Sequence, residues 1–318
     1  MCGPNLLDTT TSVTLQDIAL HDLYNLKSAE IRSSLSYDCN VFDKTSNCFS
    51  FAGRAIDLSN NDGHAVDGSL IVSHQITPQF SAGGYLGMGM QHEAGNGITD
   101  NNDIPKIGLF GDWAVRPDGT GVSLHVAGTY DTSSVDIQRA RIPATGPLNS
   151  EAGRGETTLQ ARGASAVFSY GVPLNQWFAA PYAGLQESVI TRGGYTEVGG
   201  PGGVLDPLTY KTLTDRQTTA LLGVKLHHPL SQVLTLNLTG GLEHDLSHDI
   251  SHNVATSILG TSDANFGATY RQTRGVASAG LGFAVAPLQT VTATVGFRQE
   301  ALGAANTLTG IVAYQIGF

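Results

Sequence analysis

Over most of this chain, apolar and polar residues alternate with a period of two, and this pattern restricts the fold more than any other feature of the sequence. Val291, Ala293, Val295 and Phe297 are interleaved with Thr292, Thr294, Gly296 and Arg298. Leu234, Leu236 and Leu238 alternate with Thr235, Asn237 and Thr239, and Ala277, Ala279, Leu281 and Phe283 with Ser278, Gly280 and Gly282. Successive side chains of a strand point to opposite faces, so each segment carries one apolar face and one small or polar face. Twelve strands are predicted, at 48–60, 63–76, 79–92, 106–116, 119–132, 157–172, 176–190, 215–228, 233–246, 272–286, 290–300 and 306–318. Charged residues make up 14% of the chain, and no apolar run approaches the roughly 18 residues of a membrane-spanning helix. Low charge without long apolar runs suits strands with one face in lipid and one in water. Strands of a soluble sandwich also alternate, so periodicity leaves both folds open.

The connections separate the two. Those at 76–79, 116–119, 171–176, 228–233 and 287–290 are short, whereas those near 92–106, 132–157, 190–215 and 246–272 are long and rich in Gly, Asn, Asp and Ser. Short and long alternate in register with strand number, except that 60–62 and 302–306 are short members of the long series. Transmembrane barrels have tight periplasmic turns and external loops free to grow, whereas a sandwich has no reason to segregate loop lengths to one end. The expected fold is therefore all-β, a closed 12-stranded antiparallel barrel over 48–318 with Leu236, Val295 and Phe297 facing lipid. The last strand, LTGIVAYQIGF, puts Val312, Tyr314, Ile316 and Phe318 on one face and ends on an aromatic. This resembles the terminal signature read by the outer-membrane barrel-assembly machinery.

Ahead of the strands, 14–35 is the one helix candidate. Thr14 and Asp17 resemble a capping box, and apolar residues recur at Leu15, Ile18, Ala19, Leu23 and Leu26. Such a helix is too polar to face lipid. Periodicity alone fits equally a helix within a wet pore and a surface helix ahead of the barrel. A twelve-stranded lumen lies between the side-chain-filled eight-stranded and the open sixteen-stranded barrels, so it has room for about one helix of roughly 10 Å diameter. Residues 1–13 are read as the remnant of an upstream region and 14–47 as helix plus linker. Cys39 and Cys48 close a short segment that suits a disulfide in an oxidising periplasm; two free thiols or half of a metal site are the alternatives. Cys2 follows Met1 directly, so the secretory signal an outer-membrane protein needs is expected upstream of this sequence.

A net charge of −10 without a basic stripe argues against a nucleic-acid partner. With 39 glycines spread along the chain and 12 prolines mainly at apparent turns, collagen, disorder and helical bundles are disfavoured. The strand register places Arg54, Asp112, Lys225, Glu243, Arg274, Arg298 and Glu300 inward, because Arg or Lys on the lipid face near the midplane costs about 2–4 kcal/mol. They either hold the helix or simply line a hydrated lumen. If the helix is inside, Asn25, Lys27 and Arg32 are its pore-facing polar residues, with Lys27 and Arg32 placed to meet Glu243 or Glu300. His244, His248 and His252 recur every four residues, but that spacing converges on a metal only in a helix, and this stretch reads as a strand running into a loop. The sequence carries no nucleophile elbow, phosphate-binding loop or zinc-protease motif, so neither enzyme activity nor a cofactor is expected. GYLGMG at 84–89 lies within a strand, where its glycines permit close packing in the lumen.

The helix segment NLKSAEI leading into LSYDC, the first strand after FDKTSNC, PYAGLQ at 181–186, GLEHD at 241–245 and the closing AYQIGF resemble the autotransporter β-domain family over nearly the whole chain. The resemblance implies a Gram-negative outer-membrane barrel with a helix threaded through its pore. It also implies an N-terminal passenger, exported through the barrel with help from the assembly machinery. Outer-membrane lipid, that machinery and the passenger are then the partners. Almost no passenger is present in this sequence. Some family members cut their own helix at an asparagine with luminal acids, and Asn25 is the helix asparagine here. The competing readings are a stand-alone porin-like channel with 1–47 as plug and, without motif support, an outer-membrane enzyme.

Overall fold

The computed structural model describes residues 4–59, 63–94, 97–101, 104–142, 150–200 and 203–318. Met1 and Cys2, and the connection at 60–62, lie outside them. The barrel strands are β1 (Asn47–Ser59), β2 (Gly63–Thr77), β3 (Phe80–Ala94), β4 (Lys106–Ala114), β5 (Gly121–Gln138), β6 (Arg154–Leu174), β7 (Trp177–Arg192), β8 (Leu213–Pro229), β9 (Leu234–Ile250), β10 (Thr273–Ala286), β11 (Gln289–Gln299) and β12 (Asn306–Gly317). Each pairs antiparallel with its neighbours, and β1 closes onto β12 from Cys48 opposite Gly317 to Ser59 opposite Asn306. Closure leaves no unpaired edge, the condition for crossing hydrocarbon with strands.

The expected strand boundaries hold to within a few residues, except on the long-loop side. There β5 continues to Gln138, and the strand Ile98–Asp100 extends the wall between β3 and β5. Four short strands, Tyr195–Thr196, Thr209–Tyr210, Asn253–Ser257 and Gly260–Ala264, form a separate sheet over that end of the barrel. The opposite end has tight turns. Asn175 and Leu288 sit in the left-handed region there, with φ of 58° and 61°, because a two-residue connection between antiparallel strands requires positive φ. The long-loop end is the external one and the short-turn end the periplasmic one.

Outward faces are apolar. Val295 and Phe297 are exposed as expected, and Leu236 stands opposite exposed Leu281 on the same face. Phe80, Trp113, Tyr170, Trp177, Phe283 and Phe318 are all exposed close to the periplasmic turns, an aromatic belt at the headgroup level.

Helix α1 spans Leu6–Ser34, 29 residues or about 43 Å at 1.5 Å per residue. It begins eight residues before the expected start. The cap is Asn5, whose side chain accepts from the Asp8 amide (3.0 Å), not Thr14, whose hydroxyl donates back to the Thr10 carbonyl within the helix. Residues 6–13 are therefore helical and continuous with 14–34. From Ala19 onward buried residues lie all around α1, apolar and polar together, because the barrel wall encloses it; in the outer turns Leu7, Thr11, Thr14, Leu15 and Ile18 form an exposed stripe, so Leu15 and Ile18 do not belong to the buried face. The surface-helix alternative is thereby excluded.

Candidate functional site: a pore filled by its own helix

The lumen is stratified along the helix. At the external end the first turns of α1 stand among the loops. Val13 is buried against Leu208, Tyr210, Ala255 and Ala264. Arg139 forms a two-pronged pair with Glu197 (2.7 and 2.8 Å) and reaches the Ser12 hydroxyl (3.3 Å), which itself donates to the Ala140 carbonyl (2.6 Å). Gln16 donates to the Tyr195 hydroxyl (3.2 Å), and the Asn253 amide donates to Asp17 (2.6 Å). None of these partners follows from strand parity, since the loops carrying them have no repeating period.

Burial in this cap, outside the membrane, pushes the Asp17 carboxyl up to about 6, against the opposing effects of the Asn253 hydrogen bond and the Arg192 charge. A carboxyl raised above its unfolded value of 3.8 favours the docked state below that value, and the advantage is lost as pH rises through 6. The outer turns of α1 should therefore be held more tightly at pH 4 than at pH 7, by roughly 3 kcal/mol at most. Hydrogen exchange of amides 12–20, corrected for intrinsic rates, should show this difference, and Asp17→Asn should abolish it. An undiminished pH dependence in that variant would assign the effect elsewhere.

Below the cap the upper lumen is lined by apolar side chains. Leu20, Leu23, Tyr24, Leu26 and Ile31 of the helix meet Ile56, Leu58, Val135, Ile137, Leu159 and Leu213 of the wall, with Phe266 from the β9–β10 connection. The interior was expected to be charged or hydrated, and this apolar collar is a departure from that expectation. Alternation places residues inside or outside but does not say that the inward set is apolar at one end. Asn25 is buried here, donating to the Leu302 carbonyl (3.0 Å) and accepting from the Leu302 amide (3.3 Å), so both ends of its amide are held by backbone.

The middle of the lumen carries two charge clusters. Lys27 meets Asp100 (2.7 Å), Asp131 (2.9 Å) and Glu30 (3.3 Å), and Lys106 also reaches Glu30 (2.7 Å). Arg54 pairs with Asp67 and donates to the Glu30 carbonyl (2.9 Å). On the other side of the helix, Arg32 pairs with Glu243. Behind Glu243, Arg298 bridges to Glu300 (2.9 Å) and Arg274 to Asp245 (2.5 Å), so three cations face three anions. Buried charges are tolerable only when paired in this way.

The expected set thus divides. Arg54 and Glu243 bond to the helix, while Arg274 and Arg298 pair with Glu243 and Glu300 pairs with Arg298. Asp112 acts through His125, which bonds Asp112 on one ring nitrogen (2.7 Å) and the Leu35 carbonyl on the other (2.9 Å). Lys225 is luminal but lies over the Tyr182 ring (5.9 Å), away from the helix. Arg32 meets Glu243 as expected, but Lys27 faces the opposite wall and meets neither Glu243 nor Glu300. Asp67 and Asp131 lie within strands, and the rule that charge faces inward could have found them. Asp100 lies in what reads as a loop.

Beneath the helix, residues 35–46 lead down to β1 through a chamber of about 720 Å³ lined by Arg32, Asp38, His125, Tyr182 and Lys225. Cys39 and Cys48 are disulfide-bonded and buried, tying this linker to the foot of β1. Tyr37 meets the inward Tyr85 ring edge-on (5.1 Å), and Tyr85 lies so close to Gly108 that a Cβ there would come within 2.1 Å of it. Of the glycines at 84–89 expected to allow close luminal packing, Gly87 does so, a Cβ there sitting 2.9 Å from the Ser69 hydroxyl, whereas Gly84 lies on the outer face beside Leu109. His244, His248 and His252 go to three separate partners, Thr273, Asp215 and Asp263, and no metal-holding group occurs among the described residues.

Helix and wall lie close together at Gly163, where an added Cβ would lie 2.4 Å from Ile31 Cγ2 and 3.2 Å from Leu35 Cδ1. Gly163→Val should weaken helix docking by about 1–3 kcal/mol through overpacking. Faster hydrogen exchange in α1 but not in the strands would report it, and Ile31→Ala should partly restore protection. Unchanged exchange in Gly163→Val would show that the helix shifts without cost.

At the end of the chain, Val312 and Phe318 are exposed on the outer face. Tyr314, on the same face, donates to Gln289 (3.0 Å), and Phe318 stacks on Phe49 (4.4 Å) across the β1–β12 seam.

No curated protein matches this sequence. Among solved structures, the chain is similar to the translocator domain of autotransporter NalP from Neisseria meningitidis (TM-score 0.63, 18% identity, 94% of this chain and 96% of that one). It is also similar to the beta domain of the Bordetella autotransporter BrkA (TM-score 0.52, 15% identity, 86% and 98%). The Pseudomonas putida toluene transporter TodX shares the barrel more distantly (TM-score 0.51, 12% identity, 90% and 94%). The family model for the autotransporter beta-domain matches residues 59–298. With a closed twelve-stranded wall, a helix down its lumen and that match over most of its length, this chain belongs to the autotransporter beta-domain family, as an outer-membrane translocator domain of a Gram-negative bacterium.

Proposed function

We propose that this barrel carries its passenger across the outer membrane through its own lumen and then retains α1 as anchor and plug. The observation behind this reading is the direction of α1. Its N-terminus stands at the external end, with Leu6 beside Gly260 of the outer sheet, while its C-terminus leads through the disulfide-tied linker to β1. Any segment N-terminal to Asn5 would then emerge at the cell surface already tethered. In this reading the outward face of Val312, Tyr314, Ile316 and Phe318 is what the barrel-assembly machinery reads, and lipid covers the apolar wall. The role is that of conduit and anchor, not of enzyme.

An epitope-tagged reporter fused ahead of residue 4 tests this in intact cells. The tag should be cut by external protease, and the barrel should migrate as a heat-modifiable species. Replacing Tyr314 and Phe318 with serine should lower the folded barrel and the exposed tag together, by roughly tenfold. A reporter left in the periplasm beside normally folded barrel would overturn the export reading. Unchanged folded barrel in the Tyr314/Phe318 variant would overturn the assembly reading.

A further inference from the structure

The outer wall carries a groove of about 860 Å³ crossing β2 to β7. Its floor is low on either side of the exposed Leu109, because the row of paired positions runs Gly84, Leu109, Gly128 and Ala164 and three of the four are small. The adjoining row runs Leu70, Leu86, Ile107, Tyr130, Arg162, each opposite the next. That row climbs. Leu70 lies seven residues above the periplasmic end of β2, and Arg162 lies twelve above that of β6. For strands rising 3.3 Å per residue and tilted about 40°, Arg162 stands about 30 Å above the periplasmic end, the thickness of a hydrocarbon core. The outward residues of β6 below it are Ala164, Ala166, Phe168 and Tyr170, and those above it are Gln160, Thr158 and Glu156. Arg162 therefore marks the level where acyl chains give way to headgroups, with exposed Tyr130 beside it.

Arg162 is exposed and has no hydrogen-bond or ion-pair partner among the described residues. Glu187, the outward carboxylate that lines the same groove, pairs through one oxygen with Arg216 (2.9 Å from Nε). On a chain of net charge −10, this groove is lined by one guanidinium that has no partner among the described residues, a planar donor suited to phosphate oxygens.

We propose that the groove holds a phosphorylated lipid of the external leaflet, its acyl chain over Gly128 and Ala164 and its phosphate on Arg162. The proposal rests on the membrane placement of the barrel but not on passenger export. The whole chain, purified in detergent, is offered phosphatidic acid or diacylglycerol of identical acyl chains, and bound lipid is counted by native mass spectrometry. Phosphatidic acid should be retained about tenfold better, as one charge-assisted contact allows. Arg162→Gln should reduce its retention to the diacylglycerol level. Ala164→Leu, filling the groove on a face that already meets lipid, should reduce retention of both, and inorganic phosphate should not compete. Heat-modifiable migration establishes that each variant is folded. Equal retention of the two lipids, retention unaffected by Arg162→Gln or by Ala164→Leu, or displacement by inorganic phosphate would each overturn the proposal.

Discussion

Deleting residues 1–35 should raise the single-channel conductance of the barrel in planar bilayers by on the order of tenfold, because it removes a cylinder roughly 10 Å across from a lumen that the helix fills. With α1 in place, the apolar collar packs around the helix, where Leu20, Leu23 and Leu26 meet Ile56, Leu58 and Leu213. Without it, water can enter from the chamber below. The strands should persist, since every strand pairs with two neighbours and none of those backbone bonds involves the helix. Stability should nevertheless fall, because the collar is bared to water and Glu243 loses Arg32. The deleted barrel should thus conduct more, remain heat-modifiable and melt at a lower temperature. Equal conductance with and without the segment would mean that the helix does not obstruct ion flow and would favour the channel reading.

Replacing Lys27 with methionine should weaken helix docking by about 3–5 kcal/mol, the usual cost of removing one member of a buried charge cluster. The ammonium is almost completely buried and lies within 3.3 Å of Glu30, Asp100 and Asp131. Glu30 retains Lys106, but Asp100 and Asp131 lose this cation. Since Asp100 belongs to the Ile98–Asp100 extension between β3 and β5, that part of the external wall should loosen with the helix. The result to look for is frequent channel opening and faster exchange in α1 and residues 97–101, while strand exchange holds. Lys225→Met is the control. This side chain is also luminal, but it lies over Tyr182 in the open chamber, so about 0.5 kcal/mol or less is expected. Equal effects at the two lysines would show that luminal charge in general matters, and not this cluster.

Much of the architecture is legible in the residues themselves. Alternation at Leu234–Leu238 and at Val291–Phe297 fixes the outward face of β9 and β11, because lipid on one side leaves a strand a single acceptable register. Loop lengths orient the barrel. The rule that charge avoids lipid put Arg54, Glu243, Arg274, Arg298 and Glu300 inside, where they are all buried. The helix start was missed because Thr14 and Asp17 look like a cap in isolation. Residues 6–13 are polar enough to read as a tail, and they are held as helix by contacts with loops far away in sequence, among them Ala140, Leu208 and Ala255.

The sequence by itself determined which face of each strand a residue occupies, since that depends only on parity and on the cost of placing charge in lipid. It did not determine who meets whom inside. Lys27 was expected near Glu243 or Glu300 and lies instead against Asp100 and Asp131, 73 and 104 positions away in the chain. Three quantities decide that pairing: the stagger accumulated around the closed sheet, the rotation of α1 about its axis and its depth in the pore. Each is set by the whole molecule at once, through the seat of Ile31 over Gly163, the tether at Cys39–Cys48 and the clamp of Arg139 and Asn253 on the outer turns. A local pattern repeats every two residues and carries none of that information, so only the tertiary structure could assign the helix its partners.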